Sequence, residues 1–230
     1  MSITKVIDSD VKQVEDELSR ETRVALVLDG QSMVQTACSP GQYEELAYGY
    51  LLSQGHIRSI EEVVAIEVVD VQETVSVAVR SLGLPPVPDI PPREDLLSLA
   101  LPFVQETVRR LHDESRLFIA TGGTHTVSIS SPDGVYVLAE DISRTCALEK
   151  TLGMALLAGV DFERCVVSLS SRIPRGFVHK VAHAKIPIIA AVSAPTYEAV
   201  QEAERLGICL CGFVRSGRLN AYSHAWRVGL

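Results

Sequence analysis

The C-terminal part of the chain alternates short apolar runs with helix-like segments, and this pattern constrains the fold more than any other feature. Apolar runs occupy residues 165–169, 186–192 and 208–214, and the segments between them, 176–184 and 196–206, favour helices. Apolar runs of this length between helices are typical of buried strands in a partly parallel sheet. The pattern therefore predicts an α/β fold with helices on the faces of the sheet.

A proline-rich stretch precedes this region. Residues 81–92, SLGLPPVPDIPP, hold five of the eleven prolines. Proline lacks a backbone donor, so the stretch is neither a helix nor a central strand. We therefore predict a smaller N-terminal α+β lobe at residues 1–92, ending in this linker, and an α/β domain at residues 93–230.

Local signals predict the remaining elements. Polar, acidic residues 1–20 indicate a short helix or a loose arm. Ser39, Pro40 and Gln42 resemble a capping box at a helix start. Residues 93–110 are predicted as a helix that is interrupted or kinked near Pro102. The other predictions are strands at 23–28, 32–37, 63–69, 74–79, 118–120, 125–130, 135–139 and 218–222 and helices at 43–54 and 147–158.

Composition excludes several classes of protein. The net charge of −8 argues against nucleic-acid and anionic-membrane binding, which need a basic surface. No apolar run reaches the roughly 20 residues of a membrane span, and the N-terminus is not signal-like. We therefore expect a cytoplasmic protein. Its five cysteines, an odd number without any C-x-x-C spacing, are expected to be reduced.

Polar and glycine residues gather at the ends of several predicted strands. Ligands of open α/β sheets bind beyond such ends, and hydroxyls, free N–H groups and arginines together bind anions. The sequence thus predicts a pocket for a phosphorylated ligand. Its candidate residues are Thr121, Gly122, Gly123, Thr124, His125, Asp141, Arg144, Ser171, Arg172, Ser193, Ala194, Thr196, Phe213, Val214, Arg215, Ser216, Gly217 and Arg218.

Taken singly, these features have simpler interpretations. The segment 193–196 fits a plain helix cap, and Asp141 with Arg144 fits a surface ion pair of little energetic value. His125 alone fits a structural histidine. The repetition of the same chemistry at several strand ends favours the pocket.

Several of these motifs, in this order, resemble the FdhD family, the formate dehydrogenase accessory sulfurtransferases. The resemblance spans most of the chain. Its most specific parts are TGGTH at 121–125, EDISR at 140–144, VSAPT at 192–196 and RSGRLNAY at 215–222.

The resemblance implies a cytidine-deaminase-like mixed sheet with flanking helices, and a homodimer. It implies binding of the molybdenum guanine dinucleotide cofactor, contacted by residues 213–218. It also implies that sulfur, received as a cysteine persulfide from a cysteine desulfurase, passes to that cofactor before insertion into formate dehydrogenase.

The sequence departs from the family at two places. The carrier cysteine of the family lies in a C-x-x-C loop, and the corresponding stretch here, residues 82–92, holds no cysteine. A sulfur carrier needs an accessible thiolate of lowered pKa. Residues 143–146 read Ser-Arg-Thr-Cys where the family usually has glycine, arginine, histidine and asparagine.

Three functions remain open at this point. The first is a divergent sulfurtransferase that uses Cys146, Cys38 or a partner's cysteine. The second is a cofactor-binding chaperone or regulator without catalysis. The third is a zinc deaminase, whose signature is H-x-E followed by P-C-x-x-C. Residues 112–114 match only its first half, and Cys209 and Cys211 are expected to face opposite sides of a strand, so no metal is expected.

Overall fold

The computed structural model describes residues 1–71, 74–83, 85–86 and 89–230. In these residues it has three β-sheets and six α-helices, which confirms the mixed α/β fold. A relationship to cytidine deaminases stays a prediction. None of the helices in the described residues has both the length and the apolar character that crossing a membrane requires.

The chain begins with an antiparallel hairpin of β1 (Ser2–Ile7) and β2 (Asp10–Glu15). The predicted helix or loose arm at residues 1–20 is therefore wrong. Val6 pairs with Val11 across the hairpin, and apolar cross-strand pairs of this kind favour strands over a helix.

The N-terminal part contains a second, four-stranded sheet with the strand order β4-β3-β6-β5. β3 and β6 are parallel, and the other two pairs are antiparallel. These strands agree closely with the predicted ones, and part of the proline stretch, Leu84, Val87 and Pro88, lies outside the described residues. The strands are β3 (Thr22–Leu28), β4 (Gln31–Cys38), β5 (Val63–Val71) and β6 (Thr74–Ser81).

The first helix, α1 (Tyr43–Ser53), does not begin with the predicted capping box. Its N-cap residue is Gln42, in a left-handed conformation with no side-chain cap. The Ser39 hydroxyl instead accepts a hydrogen bond from the N–H of Ile142, 103 residues away. The Ser39 hydroxyl, which the local pattern predicted to cap α1, therefore forms a tertiary hydrogen bond instead.

Two more helices differ from the prediction. Helix α2 (Leu101–Asp113) starts eight residues later than expected and has Pro102 in its first turn, where the missing N–H costs nothing. Residues 91–100 have no regular secondary structure. The predicted strand at 118–120 is wrong, because these residues lie in α3 (Arg116–Thr121).

The main sheet has six strands in the order β12-β11-β10-β9-β7-β8. β9, β10 and β11 are parallel, whereas β7 runs antiparallel to both of its neighbours and β12 antiparallel to β11. Three helices, two of them linking the parallel strands, complete this region. The elements are β7 (His125–Ser130), β8 (Tyr136–Asp141), α4 (Arg144–Leu157), β9 (Val166–Leu169), α5 (Arg175–His183), β10 (Ile188–Ala191), α6 (Tyr197–Leu206), β11 (Cys209–Arg215) and β12 (Arg218–Ser223).

One hydrophobic core runs through both predicted lobes. It includes Val77 of the small sheet, Leu51 of α1, Leu148 of α4 and Ile189 of the main sheet, each at most 1% exposed. Helix α1 therefore packs on α4 rather than on its own sheet alone. The division at residue 92 stays a prediction.

Candidate functional site

The topology brings the predicted site residues to one edge of the main sheet. The carboxyl ends of β8, β9, β10 and β11 lie at this edge, together with the amino ends of the antiparallel β7 and β12. We call it the polar edge and define it as residues 121–125, 141–144, 170–172, 193–196 and 212–218. Every candidate residue from the sequence falls within it.

The glycine loop of the polar edge is built as a tight turn. Gly122 ends α3 at a φ of +66°, and its N–H donates to the carbonyl of Phe118. The N–H of Gly123 donates to Thr121 Oγ1 (3.1 Å). Thr121 Oγ1 also lies 2.8 Å from Ser19 Oγ. The two glycine amides thus serve the turn itself, and the positive charge of this edge comes from side chains.

Glu140 holds this loop from the neighbouring strand. Its carboxylate accepts hydrogen bonds from the backbone N–H groups of Leu117 (2.8 Å) and Phe118 (3.0 Å), at the start of α3. Thr126 Oγ1 donates to the same carboxylate (3.3 Å). A carboxylate at a helix amino terminus satisfies free donors and complements the helix dipole. The motif around residue 140 marked this glutamate in the sequence, but nothing there indicated its partner.

Asp141, the next residue, projects to the other face of β8 and is fully buried. Its Oδ2 lies 2.7 Å from Lys150 Nζ and accepts the N–H of Ser39 (3.0 Å). Its Oδ1 accepts the N–H of Ser143 (2.8 Å). Both carboxylate oxygens are therefore engaged inside the protein, so Asp141 affects the polar edge through the loop that it positions. The surface ion pair with Arg144 is not formed.

His125 and Arg144 lie close to each other at this edge. His125 pairs with Asp141 across the β7–β8 ladder. Burial and the positive charge of Arg144 lower the pKa of His125, while the Asp141 carboxylate partly opposes them. A neutral imidazole at pH 7 follows, able to donate one hydrogen bond and accept another. Beside it, the hydroxyl of Thr124 is buried without a hydrogen-bond partner in the described residues.

Four arginines supply the positive charge of the polar edge. Arg172, Arg215 and Arg218 are exposed and Arg144 is half-buried. Arg215 Nη1 donates to the carbonyl of Val192 (2.9 Å), and none of the four forms an ion pair within the described residues. Guanidinium groups without a carboxylate partner suit bidentate binding of phosphate oxygens.

The β11 strand is distorted at the same edge. Phe213 has a φ of +53°, which is rare for a bulky residue, and the β11–β12 register shifts between Gly212 and Arg215. The Phe213 N–H donates to the carbonyl of Ser193 (3.3 Å). Arg218 lies over Phe213, with its guanidinium carbon 5.9 Å from the ring centre. Strained backbone of this kind concentrates at functional sites.

The remaining candidate residues have structural roles at the polar edge. Thr196 is the N-cap of α6, and its side chain accepts the N–H of Ala199 (3.2 Å), as the simpler interpretation has it. Ser171 and Val214 are buried, and Ala194 accepts the N–H of Ile173 (3.1 Å). Ser216 and Gly217 form the exposed turn between β11 and β12.

All five cysteines are buried and unpaired. Burial raises the pKa of Cys38 to about 12 and also raises the pKa of Cys146. Cys146 lines a cavity of about 260 Å³ between the small sheet and α4, together with Thr36, Glu149 and Lys180. A thiol that carries sulfur needs to be exposed and to have a lowered pKa. Cys38 and Cys146 are instead buried and have raised pKa values.

The expectation for Cys209 and Cys211 is wrong. Their sulfur atoms lie 3.7 Å apart on one face of β11, because residues two apart in a strand point to the same side. No cluster of three or more His, Cys, Asp or Glu side chains arranged to hold a metal occurs among the residues described. The absence of a metal stays a prediction.

A large cavity lies away from the polar edge. It encloses about 670 Å³ beside the end of the proline stretch, and its walls include Asp89, Arg93, Phe162 and His183. The arginines of the polar edge do not line it. Because Arg172, Arg215 and Arg218 are exposed, the candidate site is an open edge of the sheet.

Comparisons with known proteins agree with the sequence resemblance. The chain is 28% identical to the sulfur carrier protein FdhD of Methanothermobacter thermautotrophicus, over 96% of this chain and 95% of that protein. It is 31% identical to the sulfur carrier protein FdhD of Bordetella parapertussis, over 93% and 87%. The fold is similar to a crystal structure from Desulfotalea psychrophila, assigned as a formate dehydrogenase accessory protein, with a TM-score of 0.83, 24% identity and coverage of 99% and 97%.

The match to a protein family extends over most of the helices and strands of this chain. Residues 19–86 and 85–229 match the FdhD/NarQ family, so that both the small sheet and the main sheet with its polar edge fall inside the match. On this match, and on the relatives just described, the chain belongs to the FdhD/NarQ family.

Proposed function

We propose that this protein is an accessory factor for formate dehydrogenase maturation that binds the molybdenum guanine dinucleotide cofactor as its cargo at the polar edge. The observation that carries the proposal is that Arg144, Arg172, Arg215 and Arg218 all lie along one edge of the main sheet, without carboxylate partners among the described residues. Membership of the FdhD/NarQ family supports the choice of cofactor and client.

The chemistry of this edge suits the nucleotide half of the cofactor. A guanine dinucleotide carries a pyrophosphate, whose oxygens match arginine side chains. The whole chain is acidic, with a net charge of −8, so the arginines form a local exception. The neutral His125 adds a hydrogen-bonding group beside Arg144, and the preceding residue, Thr124, has a buried hydroxyl without a partner in the described residues.

We further propose that the protein presents the cofactor without carrying sulfur on its own cysteines. None of the five thiols is accessible, and burial raises the pKa of both candidate carriers, Cys38 and Cys146. In this proposal, the persulfide comes from a partner such as a cysteine desulfurase. The alternative is a divergent sulfurtransferase whose Cys146 becomes exposed when a partner binds.

Titration calorimetry with GDP, a stand-in for the nucleotide half, tests the binding proposal. We expect wild type to bind and Arg218→Ala to bind roughly tenfold more weakly, about the value of one charged hydrogen bond. Arg164→Ala is the control, because Arg164 is exposed and precedes β9 at the opposite end of the sheet. A folded wild type that does not bind GDP contradicts the proposal.

Mass spectrometry tests the sulfur proposal. The purified protein is incubated with a cysteine desulfurase and cysteine, and persulfide is mapped on each of the five cysteines with Cys146→Ser as a control. We expect no persulfide above the level of the desulfurase-free sample. Stoichiometric persulfide on Cys146, lost in Cys146→Ser, favours the divergent sulfurtransferase instead.

The homodimer belongs to this proposal as well. Sedimentation velocity on the full chain tests it directly, with a 25 kDa monomer as the contradicting result.

A further inference from the structure

Ser39 is one of the residues through which the N-terminal lobe contacts the polar edge, in addition to Ser19 at the glycine loop. Ser39 is buried and lies between β4 and α1. Its carbonyl accepts a hydrogen bond from Lys150 Nζ (2.7 Å), and its N–H donates to Asp141 Oδ2 (3.0 Å). Its hydroxyl accepts the N–H of Ile142 (3.1 Å). All three polar groups of this residue thus bond to the β8–α4 region of the main domain.

The position of Ser39 is fixed from both sides along the chain. On its N-terminal side, Cys38 ends β4 and is fully buried. On its C-terminal side, α1 packs against α4 so closely that Gly49 and Gly153 have no room for a side chain. A residue held in this way is a rigid support for the groups that bond to it.

The supported segment leads directly to Arg144. The two residues between Asp141 and Arg144 both use their backbone N–H groups in this cluster, Ile142 to Ser39 Oγ and Ser143 to Asp141 Oδ1. Ser143 then caps α4 by accepting the N–H of Cys146 (3.3 Å). The backbone that precedes Arg144 is therefore determined by hydrogen bonds, and one of its two anchors belongs to the other lobe.

We propose that Ser39 is a positioning residue for Arg144, through which the N-terminal lobe sets anion binding at the polar edge without contacting the ligand. This inference rests on the proposed function. Removing the Ser39 hydroxyl leaves the Ile142 N–H without its acceptor, so the loop relaxes and the backbone that carries Arg144 loses its fixed position. Preorganised donors bind more tightly than donors that must be ordered on binding.

A double-mutant cycle measured with GDP tests this positioning role. We expect Ser39→Ala to weaken GDP binding about fivefold and Arg144→Ala about tenfold. The double variant is expected to bind no more weakly than Arg144→Ala alone, because Ser39 acts through Arg144. A parallel cycle of Ser39→Ala with Arg218→Ala is expected to be additive, because Arg218 lies on the far strand β12.

A stability control separates positioning from general weakening of the fold. Val77→Ala removes core volume in the small sheet, where Val77 is fully buried. Val77 lies far along the chain from Ser39, and no hydrogen bond of its own joins it to Asp141 or Lys150 in the described residues. We expect it to lower the melting temperature at least as much as Ser39→Ala while leaving GDP affinity unchanged.

The experiments distinguish failure of the positioning role from failure of the proposed function. Additive effects of Ser39→Ala and Arg144→Ala, or an unchanged affinity in Ser39→Ala when wild type binds, overturn the positioning role alone. Absence of GDP binding in wild type contradicts the proposed function and the positioning role together.

Discussion

Gly49 of α1 and Gly153 of α4 bring the backbones of these two helices into direct contact. A Cβ atom on Gly49 would lie 1.6 Å from the carbonyl oxygen of Glu149, and one on Gly153 would lie 1.8 Å from that of Glu45. Real side-chain atoms do not approach backbone so closely. The contact therefore allows no residue except glycine at either position, and it holds α1 directly against α4.

Gly49→Ala is expected to destabilise the protein by at least about 3 kcal/mol, at the upper end of overpacking effects, because the helices must separate. Urea unfolding monitored by circular dichroism measures this change. Gly176→Ala is the matched control, since Gly176 lies in α5 with nothing within 4 Å of a Cβ atom. A Gly49→Ala variant as stable as this control contradicts the close packing.

Glu140→Ala is expected to lower the free energy of unfolding by about 1–2 kcal/mol, because α3 loses the carboxylate that accepts its first N–H groups. The glycine loop that follows α3 should then exchange its amide hydrogens faster, which hydrogen exchange measures. Glu198→Ala serves as the comparison, because Glu198 lies exposed in the first turn of α6. Equal effects of the two substitutions would show that Glu140 has no special part in the loop.

Stability is expected to fall in alkaline solution. Burial raises the pKa of Cys38 and of Cys165 from 9.0 to about 12, so the folded protein keeps two protons that the unfolded chain releases. Their contribution is complete below pH 9 and is lost as the pH rises towards 12. The free energy of unfolding should decrease by up to roughly 1.4 kcal/mol per pH unit for each thiol.

Urea unfolding at pH 8, 9 and 10 measures this decrease. A Cys38→Ala and Cys165→Ala double variant should show a clearly shallower dependence on pH, whatever its absolute stability. An identical slope in wild type and double variant would mean that the buried thiols do not control alkaline stability.

Asp95→Asn is expected to destabilise the protein at pH 7 by about 3 kcal/mol, because it leaves Arg227, only 1% exposed, without its charged partner. Burial alone raises the pKa of Asp95, but hydrogen bonds from Arg227, Leu97 and Arg93 lower it to about 2. Its stabilising contribution is therefore present above pH 3.8 and is lost as the pH falls towards 2.

The difference in unfolding free energy between wild type and Asp95→Asn should accordingly shrink as the pH is lowered from 4 towards 2. Asp133→Asn provides the control, because the Asp133–Arg164 pair is more than half exposed on both sides and such pairs contribute at most about 1 kcal/mol. A difference for Asp95→Asn that is independent of pH would contradict the proposed ionisation.

Two errors of the sequence interpretation have the same cause, a partner that lies far away in the chain. The strand predicted at 118–120 is a helix because Glu140, about twenty residues away, accepts the N–H groups that begin it. The Ser39 capping box fails because its hydroxyl bonds to Ile142 on another element. A local sequence pattern does not indicate that Glu140 and Ile142 are the hydrogen-bond partners. The faces of Cys209 and Cys211, by contrast, follow from the period of a strand and were predictable.

Residue patterns were enough to predict an α/β protein of the FdhD family, to identify the residues that gather at strand ends, and to show that the proline stretch holds no cysteine. Those properties depend on periodicity, residue type and order. The folded chain was needed to show which strand ends share one edge of the main sheet, that Asp141 is buried there, and that all five thiols are buried. Strand direction, burial and hydrogen-bond partners depend on contacts between residues far apart in the chain, and local patterns do not encode those contacts.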